Sequence, residues 1–302
     1  MSYYTQAGKI PPKRHTVYRK PDGSLYHEEL FGTEGFNGVS SLLYHLYPPT
    51  RVVQYGKPVS VKPEIAIEEN MRALSFRTFN IESCNDYLES RKTLFVNNDL
   101  ECGVAAPAKS MTDYFFKNAQ SDEMLFIHKG SGTLKTPYGS IDFGYGDYLI
   151  IPRGVIYQLQ FDSSDNHILY LESSSPIETP SRYRNAYGQY MEHSPFCERD
   201  IRLPKDLETL DEQGAFLVRI KKRGFLWDYT YETHPFDLIG WDGTCYPYAF
   251  SIFNFEPITG RIHMPPPIHQ TFGSKGFVVC SFVPRLYDYH PEALPAPWAS
   301  VN

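Results

Sequence analysis

Short hydrophobic runs alternate with turn-forming residues throughout residues 118–171. Glycine, proline or aspartate follows most of these runs within a few positions. Short strands separated by such turns at close spacing are typical of an all-β sandwich or barrel. The predicted strands are Met124–His128, Thr133–Thr136, Ile141–Phe143, Tyr148–Ile151, Val155–Phe161 and His167–Leu171.

Other parts of the chain differ in how closely they follow this pattern. Residues 219–260 resume it, and the alternating segment 73–79 (ALSFRTF) predicts a half-buried strand. We interpret residues 1–60, which are rich in Tyr, Gly and Pro, as an extended arm that packs on other surfaces, including those of another subunit. Residues 172–204 break the strand rhythm, and their mixed charges are expected to fix loops or a subunit contact. The arginines of this segment are Arg182, Arg184, Arg199 and Arg202.

Composition supports strands and turns and excludes several classes of protein. The chain has 302 residues, of which 41% are hydrophobic, enough for one large core or two ordinary ones. It contains 23 Tyr, 20 Phe and 24 Pro, which favours strands and turns over helices. Its five cysteines form no Cys-x-x-Cys motif, which argues against a disulfide framework or zinc ribbon. No apolar run suggests a secretory signal or membrane span, so we expect a cytoplasmic protein without a membrane partner.

Charge argues against binding to nucleic acid, because the formal net charge is −6 and such proteins usually carry a basic face. The short basic cluster Arg219–Arg223 is interpreted as a solvated strand edge. Asp237 and Asp242 are interpreted as ordinary loop acids.

The segment GRIHMPPPIHQTF at residues 260–272 places His263 and His269 on either side of three prolines. The prolines predict an extended loop, since each fixes its own φ and restrains the preceding residue. The two histidines could be metal ligands, a catalytic base with its orienting partner, or ordinary side chains of a stiff loop. The residues alone leave these alternatives open.

The turns of residues 118–171 also resemble the double-stranded β-helix of the cupin superfamily, most clearly in the sequence GDYLIIPRG. Cupins usually hold a metal on two histidines and a glutamate of one motif and a histidine of the next. Here Asn118 stands in the first motif before Glu123, and Tyr157 stands where the later histidine is expected. An amide and a neutral phenol are poor ligands for iron, zinc or copper, so this repeat is predicted to hold no metal.

Longer motifs resemble the homogentisate 1,2-dioxygenase family, especially its shorter bacterial members. They are HEELFGTEGFNGVSSLLYHLYPPT, EHSPFCERDIR and GWDGTCYPYAFSIFNFEPITGRIHMPPPIHQTF. The resemblance implies two cupin-like β-sandwiches, the first without metal. It divides the chain into an arm and first sandwich at residues 1–245 and the beginning of a second, catalytic sandwich at residues 246–302. It also implies trimers that dimerise into hexamers.

The same resemblance implies a reaction. Family members hold one Fe(II) on two histidines and a glutamate, and open the ring of homogentisate with O2 to give maleylacetoacetate in tyrosine and phenylalanine breakdown. Such a ligand set leaves positions open on the metal. His263 matches the family's acid–base residue, which does not bind iron, whereas His269 matches no assigned role and is expected to be structural or exposed.

The sequence departs from the family after residues 295–297 (PAP), where the iron ligands would follow. No histidine follows His290, which matches a non-ligand position, so this sequence lacks all three expected iron ligands. We expect either a chain shorter than the complete enzyme or a paralogue without the metal half. The alternative function is a non-catalytic cupin for binding or assembly. A sugar-isomerase cupin is disfavoured by Asn118 and Tyr157, and gentisate remains an alternative substrate.

Overall fold

The computed structural model describes residues 3–67, 70, 72–256 and 269–283. Within these ranges the chain is built from β-strands and single-turn 3-10 helices, without an α-helix. In the same part of the chain, no helix has the length and apolar character needed to cross a membrane. The 3-10 helices are Thr78–Asn80, Ser181–Tyr183, Glu198–Asp200 and Ile252–Asn254. The strands are β1 Thr5–Gly8, β2 His27–Glu34, β3 Asn37–His45, β4 Val52–Tyr55, β5 Val59–Ser60, β6 Lys92–Val96, β7 Leu100–Ala105, β8 Phe115–Asn118, β9 Asp122–Lys129, β10 Gly132–Thr136, β11 Gly139–Phe143, β12 Asp147–Ile151, β13 Ile156–Phe161, β14 His167–Ser173, β15 Ile201–Arg202, β16 Gln213–Lys222, β17 Phe225–Thr233, β18 Leu238–Gly243, β19 Tyr248–Ser251, β20 Gln270–Gly273 and β21 Val278–Cys280.

Two large sheets form the central sandwich. One has the order β15-β19-β12-β9-β14-β7-β6, and the other has the order β11-β10-β13-β8-β16-β17-β4, with β5 also paired to β17. Strands β9, β12 and β14 belong to the first sheet and β10, β11 and β13 to the second, and side chains from both sheets share one buried cluster. This is the cupin-like, all-β sandwich that the sequence predicted, and each predicted strand of residues 118–171 is confirmed to within two residues at either end.

Alternating burial explains why these strands form. In β10 and β11, buried and more exposed residues follow each other with a period of two, as expected for strands with one face on a core. The turn between them requires glycine at position 139, where φ is +120°. A Cβ at Gly139 would lie 2.4 Å from the carbonyl oxygen of Lys205. The Pro-Tyr-Gly turn therefore packs directly against a later loop.

The predicted arm is part of the molecule's own fold. Strands β1, β2 and β3 join β18 in a four-stranded sheet with the order β1-β18-β3-β2. Leu43 of β3 is 3% exposed and belongs to the main core cluster. The expectation that residues 1–60 form an arm packing on other surfaces is therefore wrong for this part of the chain. Strands β1 and β3 are ordered by pairing with β18, more than 190 residues away, as in the Leu43–Trp241 register, and β2 is ordered by pairing with β3.

The segment 73–79 is not a strand. It ends in a 3-10 helix, and Leu74, Phe76 and Phe79 are all exposed to a large extent. An alternating pattern alone does not make a strand where no neighbouring strand is available for pairing.

Strands β20 and β21 form a hairpin that packs on the central sandwich. Phe272 is fully buried in the main core cluster, and the Tyr183 hydroxyl donates to the Gln270 carbonyl oxygen at 2.7 Å. Strand β19 pairs with β12 and thus belongs to the first sandwich. The division of the chain at residues 245/246 stays a prediction.

Candidate functional site

The predicted acid–base residue, His263, lies outside the described residues. His269 lies inside them, immediately before β20, and its side chain is 2% exposed. Its ring packs on Phe282 with a centroid separation of 4.8 Å. This position is compatible with the structural role expected for His269, and the catalytic role of His263 stays a prediction.

Glu123 and Tyr157 meet in the centre of the first sandwich. Glu123 lies on β9, Tyr157 lies on β13, and both side chains are essentially inaccessible to solvent. The Tyr157 hydroxyl donates a hydrogen bond of 3.0 Å to Oε2 of Glu123. A carboxyl group and a phenol thus occupy positions that the cupin motifs reserve for metal ligands.

The Asn118 side chain stabilises the turn at the end of β8. Its side-chain oxygen accepts hydrogen bonds from the backbone N–H groups of Gln120 and Ser121, at 3.2 and 3.0 Å. These bonds close the turn that leads into β9. The amide therefore organises the backbone at this point of the first motif.

Glu123 is held in its neutral form. Burial, reinforced by the charge of Glu172, raises the pKa of Glu123 to about 8, although Arg91 and the hydrogen bond from Tyr157 act in the opposite direction. Transfer of an ionised carboxylate to a site without water is costly, so the carboxyl group retains its proton near neutral pH. A protonated carboxyl group is a poor ligand for a metal cation.

A buried network of ion pairs lies beside Glu123. Arg91 approaches Glu172 at 2.5 Å, and Nζ of Lys221 lies 2.7 Å from Glu172 and 2.8 Å from Glu101. The Arg91 guanidinium also stacks over the Tyr170 ring, 3.9 Å from its centroid. Burial alone would raise the pKa of Glu172, but the charges of Arg91 and Lys221 lower it to about 2.

This network corrects the interpretation of the basic cluster 219–223. The Lys221 side chain is only 5% exposed, so the expectation of a solvated strand edge is wrong at this position. The reason is that β16 lies inside its sheet, between β8 and β17. Alternation along β16 then carries Lys221 to a buried face, where Glu101 and Glu172 neutralise it.

Asp237 also differs from its interpretation as an ordinary loop acid. It is completely buried and pairs with His45 and Arg51. The partners are 192 and 186 residues away in the sequence, and no local pattern reveals them. Asp242, interpreted in the same way, lies within β18 and forms an ion pair with Arg14, whose Nη2 lies 2.8 Å from Oδ2 of Asp242.

The side chains of the described ranges do not fit an iron site. No group of three or more His, Cys, Asp or Glu residues in these ranges could hold a metal ion. At the centre of the first sandwich, Glu123 is protonated and its hydrogen-bonding neighbour is a phenol. This donor set lacks the imidazoles that Fe(II) sites of the two-histidine, one-carboxylate type require.

A groove of about 530 Å³ runs between the segment 175–182 and the β20–β21 hairpin. Its lining includes the cations Arg182 and Lys275 and the carboxylates of Glu34 and Glu178. The volume falls in the range of roughly 300–1,000 Å³ that is usual for small-molecule sites.

Comparison with known sequences places these features in a family. The family described as "Homogentisate 1,2-dioxygenase N-terminal" matches residues 12–252. The chain is 42% identical over 295 residues to the "Putative dioxygenase SSO1533" of Saccharolobus solfataricus, covering 98% of this chain and 76% of that protein. It is 28% identical over 333 aligned positions to the homogentisate 1,2-dioxygenase of Nitrobacter hamburgensis, covering 100% of this chain and 72% of that protein.

Solved structures similar to part of the chain include two cupin domains. A cupin-2 domain protein from Shewanella frigidimarina is 18% identical, covers 28% of this chain and 79% of its own, and has a TM-score of 0.25. The Cnp3 cupin domain of Schizosaccharomyces pombe is 14% identical, covers 28% of this chain and 62% of its own, and has a TM-score of 0.26. TM-scores this low give no information about the site. The family is assigned from the sequence matches alone. The chain belongs to the homogentisate 1,2-dioxygenase family.

Proposed function

We propose that this protein, at least in its complete form, cleaves an aromatic ring with dioxygen, with homogentisate as substrate, maleylacetoacetate as product and Fe(II) as cofactor. The observation that supports the proposal is the family match over residues 12–252, together with the 42% identity to a protein named as a dioxygenase. The reaction balances without a further reductant, because both atoms of O2 enter the opened ring. It would serve tyrosine and phenylalanine breakdown in the cytoplasm.

In this proposal the first sandwich is a metal-free scaffold. Glu123 and Tyr157 close its centre with a neutral hydrogen-bonded pair, and the ion pairs of Arg91, Lys221 and Glu172 fill the space beside it. These 302 residues lack the family's three iron ligands, so in this proposal the iron would be held by residues of the complete form. We further propose that His263 accepts a hydroxyl proton from the substrate. A homotrimer or hexamer is the proposed assembly.

The second candidate is a non-catalytic cupin that binds a small molecule or supports assembly. The specific observation in its favour is that side chains of the described ranges offer no site for a metal. It predicts a stable oligomer that contains no stoichiometric iron and consumes no oxygen.

Oxygen uptake separates the two candidates. The purified protein is supplied anaerobically with Fe(II), mixed with homogentisate in oxygenated buffer, and monitored for O2 consumption, with iron content measured in parallel. We expect one O2 consumed per homogentisate, and a smaller or absent response to gentisate. Protein that binds iron but consumes no oxygen with either dihydroxyphenyl acid would contradict the ring-cleavage proposal.

The role of His263 needs its own variant. His263→Ala is expected to lose oxygen uptake while retaining its iron, because a base that takes a proton need not bind the metal. His128→Ala is the matched control, since His128 is an exposed histidine on β9. Loss of iron in His263→Ala would show instead that His263 is a ligand.

A further inference from the structure

A small cavity lies between the four-stranded sheet and the sheet that contains β8. Its volume is about 70 Å³, and its walls include Phe31 and Tyr138 as well as charged side chains from three strands and one loop. The charged groups are Glu29 on β2, His45 on β3, Arg51 and Lys117 on β8. Neither the cupin motifs nor the family match assigns a role to this cavity.

His45 carries a positive charge in this arrangement. Its Nδ1 lies 2.8 Å from Oδ1 of Asp237, and its Nε2 lies 3.0 Å from Oε2 of Glu29. Carboxylates only accept hydrogen bonds, so these two contacts favour a proton on each ring nitrogen. Nη2 of Arg51 also lies 3.1 Å from Nδ1 of His45. Burial alone would lower the pKa of His45, but these two hydrogen bonds and the carboxylate charges raise it.

Arg51 is fixed by partners of its own. Its guanidinium donates to Oδ1 of Asp237 and to the backbone oxygen of His234, both at 3.0 Å. Its side chain is 5% exposed. Arg51 therefore contributes a second positive charge that cannot swing away to solvent.

Lys117 is the cation that remains without a partner. Hydrogen bonds and ion pairs within the described part of the chain involve the other four charged groups but not Lys117. The charges of His45, Arg51 and Lys117 sum to three, whereas Glu29 and Asp237 supply two negative charges. One positive charge is therefore left over at a partly buried position, and burial lowers the pKa of Lys117.

We propose that this cavity is a binding site for one compact monovalent anion, a halide or a small carboxylate, held by Lys117 beside the His45 and Arg51 cations. An anion in this position would cancel the remaining charge and supply the hydrogen-bond acceptor that an ammonium group requires. Size restricts the choice of ligand. A volume of about 70 Å³ corresponds to a few water molecules and is too small for an aromatic ring with an acetate side chain.

This site is separate from the proposed ring-cleavage function and does not depend on it. The anion would join β8 of the central sandwich to β2 and β3 of the four-stranded sheet, and so would stabilise the contact between them. The effect to measure is therefore thermal stability, whether or not the protein consumes oxygen.

The test compares melting temperatures at constant ionic strength and pH as gluconate, which is too large for the cavity, is replaced by chloride, formate or acetate. We expect the wild-type melting temperature to rise with each small anion, and the rise to disappear in Lys117→Met. Lys222→Met is the matched control, because it removes the same charge from an exposed position on the neighbouring strand β16 and should keep the full rise. An equal rise in Lys117→Met, or no rise in the wild type, would overturn the proposal.

A second measurement covers the case in which Lys117→Met does not fold. Crystals of the wild-type protein grown with bromide are expected to show an anomalous peak inside the cavity, next to Nζ of Lys117. Anomalous density confined to the protein surface would overturn the proposal. Comparison of the chloride and formate melting data then distinguishes a halide site from a carboxylate site.

Discussion

The Tyr157 hydroxyl donates a 3.0 Å hydrogen bond to Glu123 at the point where a metal-binding cupin would carry its ion. The pair is inaccessible to solvent, and the pKa of Glu123 is raised to about 8. A neutral carboxyl group and a phenol stabilise this centre without a metal. We therefore expect the first sandwich to fold without a cofactor at its centre.

Glu123→Gln is expected to change how stability depends on pH. Since the folded-state pKa of Glu123 lies above its usual value of 4.5, the native state retains a proton that the unfolded chain releases, and wild-type stability falls between pH 4.5 and about 8. Glutamine has no proton to retain. The difference in the free energy of unfolding between Glu123→Gln and the wild type, measured with urea, should therefore shift in favour of the variant as the pH rises from 4.5 to about 8. The shift should reach up to about 5 kcal/mol.

Tyr157→Phe is the control for this experiment. It removes one hydrogen bond, worth about 1 kcal/mol, but leaves Glu123 buried, so stability should still fall with rising pH as in the wild type. The fall should extend to slightly higher pH, because the hydrogen bond from Tyr157 lowers the pKa of Glu123. Parallel pH profiles for Glu123→Gln and the wild type would contradict the assignment of a neutral Glu123.

Glu172→Gln is expected to affect the acid side of the profile. The folded-state pKa of Glu172 is lowered to about 2, so its ionised form contributes stability above pH 4.5 that is lost as the pH falls towards 2. The free energy of unfolding of the variant should be about 3 kcal/mol lower than that of the wild type at neutral pH. It should also depend less on pH between about 2 and 4.5, the acid limb of the profile. Urea unfolding between pH 2 and 7 measures both effects, and an acid limb as steep as that of the wild type would refute the prediction.

Lys221→Met is expected to destabilise the protein at neutral pH. It leaves Glu101 and Glu172 with one cation fewer in a buried site, which should cost about 3–5 kcal/mol. Lys222→Met removes a lysine from the next, exposed position and should change stability by less than about 0.5 kcal/mol. Equal effects on denaturant unfolding would show that the network contributes little.

Gly139→Ala tests the turn between β10 and β11. The new Cβ would lie 2.4 Å from the Lys205 carbonyl oxygen, and φ at this position is +120°. We therefore expect the free energy of unfolding to fall by more than about 3 kcal/mol. Gly188→Ala is the matched control, because Gly188 also has a positive φ of +83° but no atom within 4 Å of its added Cβ. The free energy of unfolding of Gly188→Ala should fall by only about 1 kcal/mol. Similar melting temperatures for the two variants would argue against the close approach of Lys205.

The strands of residues 118–171 were predictable because their order is local. Each hydrophobic run is bounded by glycine, proline or aspartate, and Gly139 and Gly154 adopt the positive φ that such turns need. The prediction that the first motif cannot hold a metal also depended on local residues, Asn118 and Tyr157. Their identities alone exclude good ligands.

The charged networks were not predictable in the same way. Lys221 meets Glu101 across 120 residues, and His45 meets Asp237 across 192. Each residue is typical of a surface position when only its neighbours in sequence are considered. Strand pairing between distant segments decides which of them are buried, and a single sequence carries no local signal for that pairing. For the same reason, the sequence of residues 1–60 does not reveal that β1 to β3 join the sheet of β18.

The most direct test of a metal-free first sandwich in a ring-cleaving dioxygenase compares homogentisate-dependent oxygen uptake by the Fe(II)-supplied wild type and Glu123→Gln. We expect uptake by both proteins, equal within about twofold after correction for folded protein, because Glu123 supports the fold and binds no iron. Uptake lost only in Glu123→Gln would contradict the metal-free first sandwich, and absence of uptake in both would contradict the oxygenase proposal.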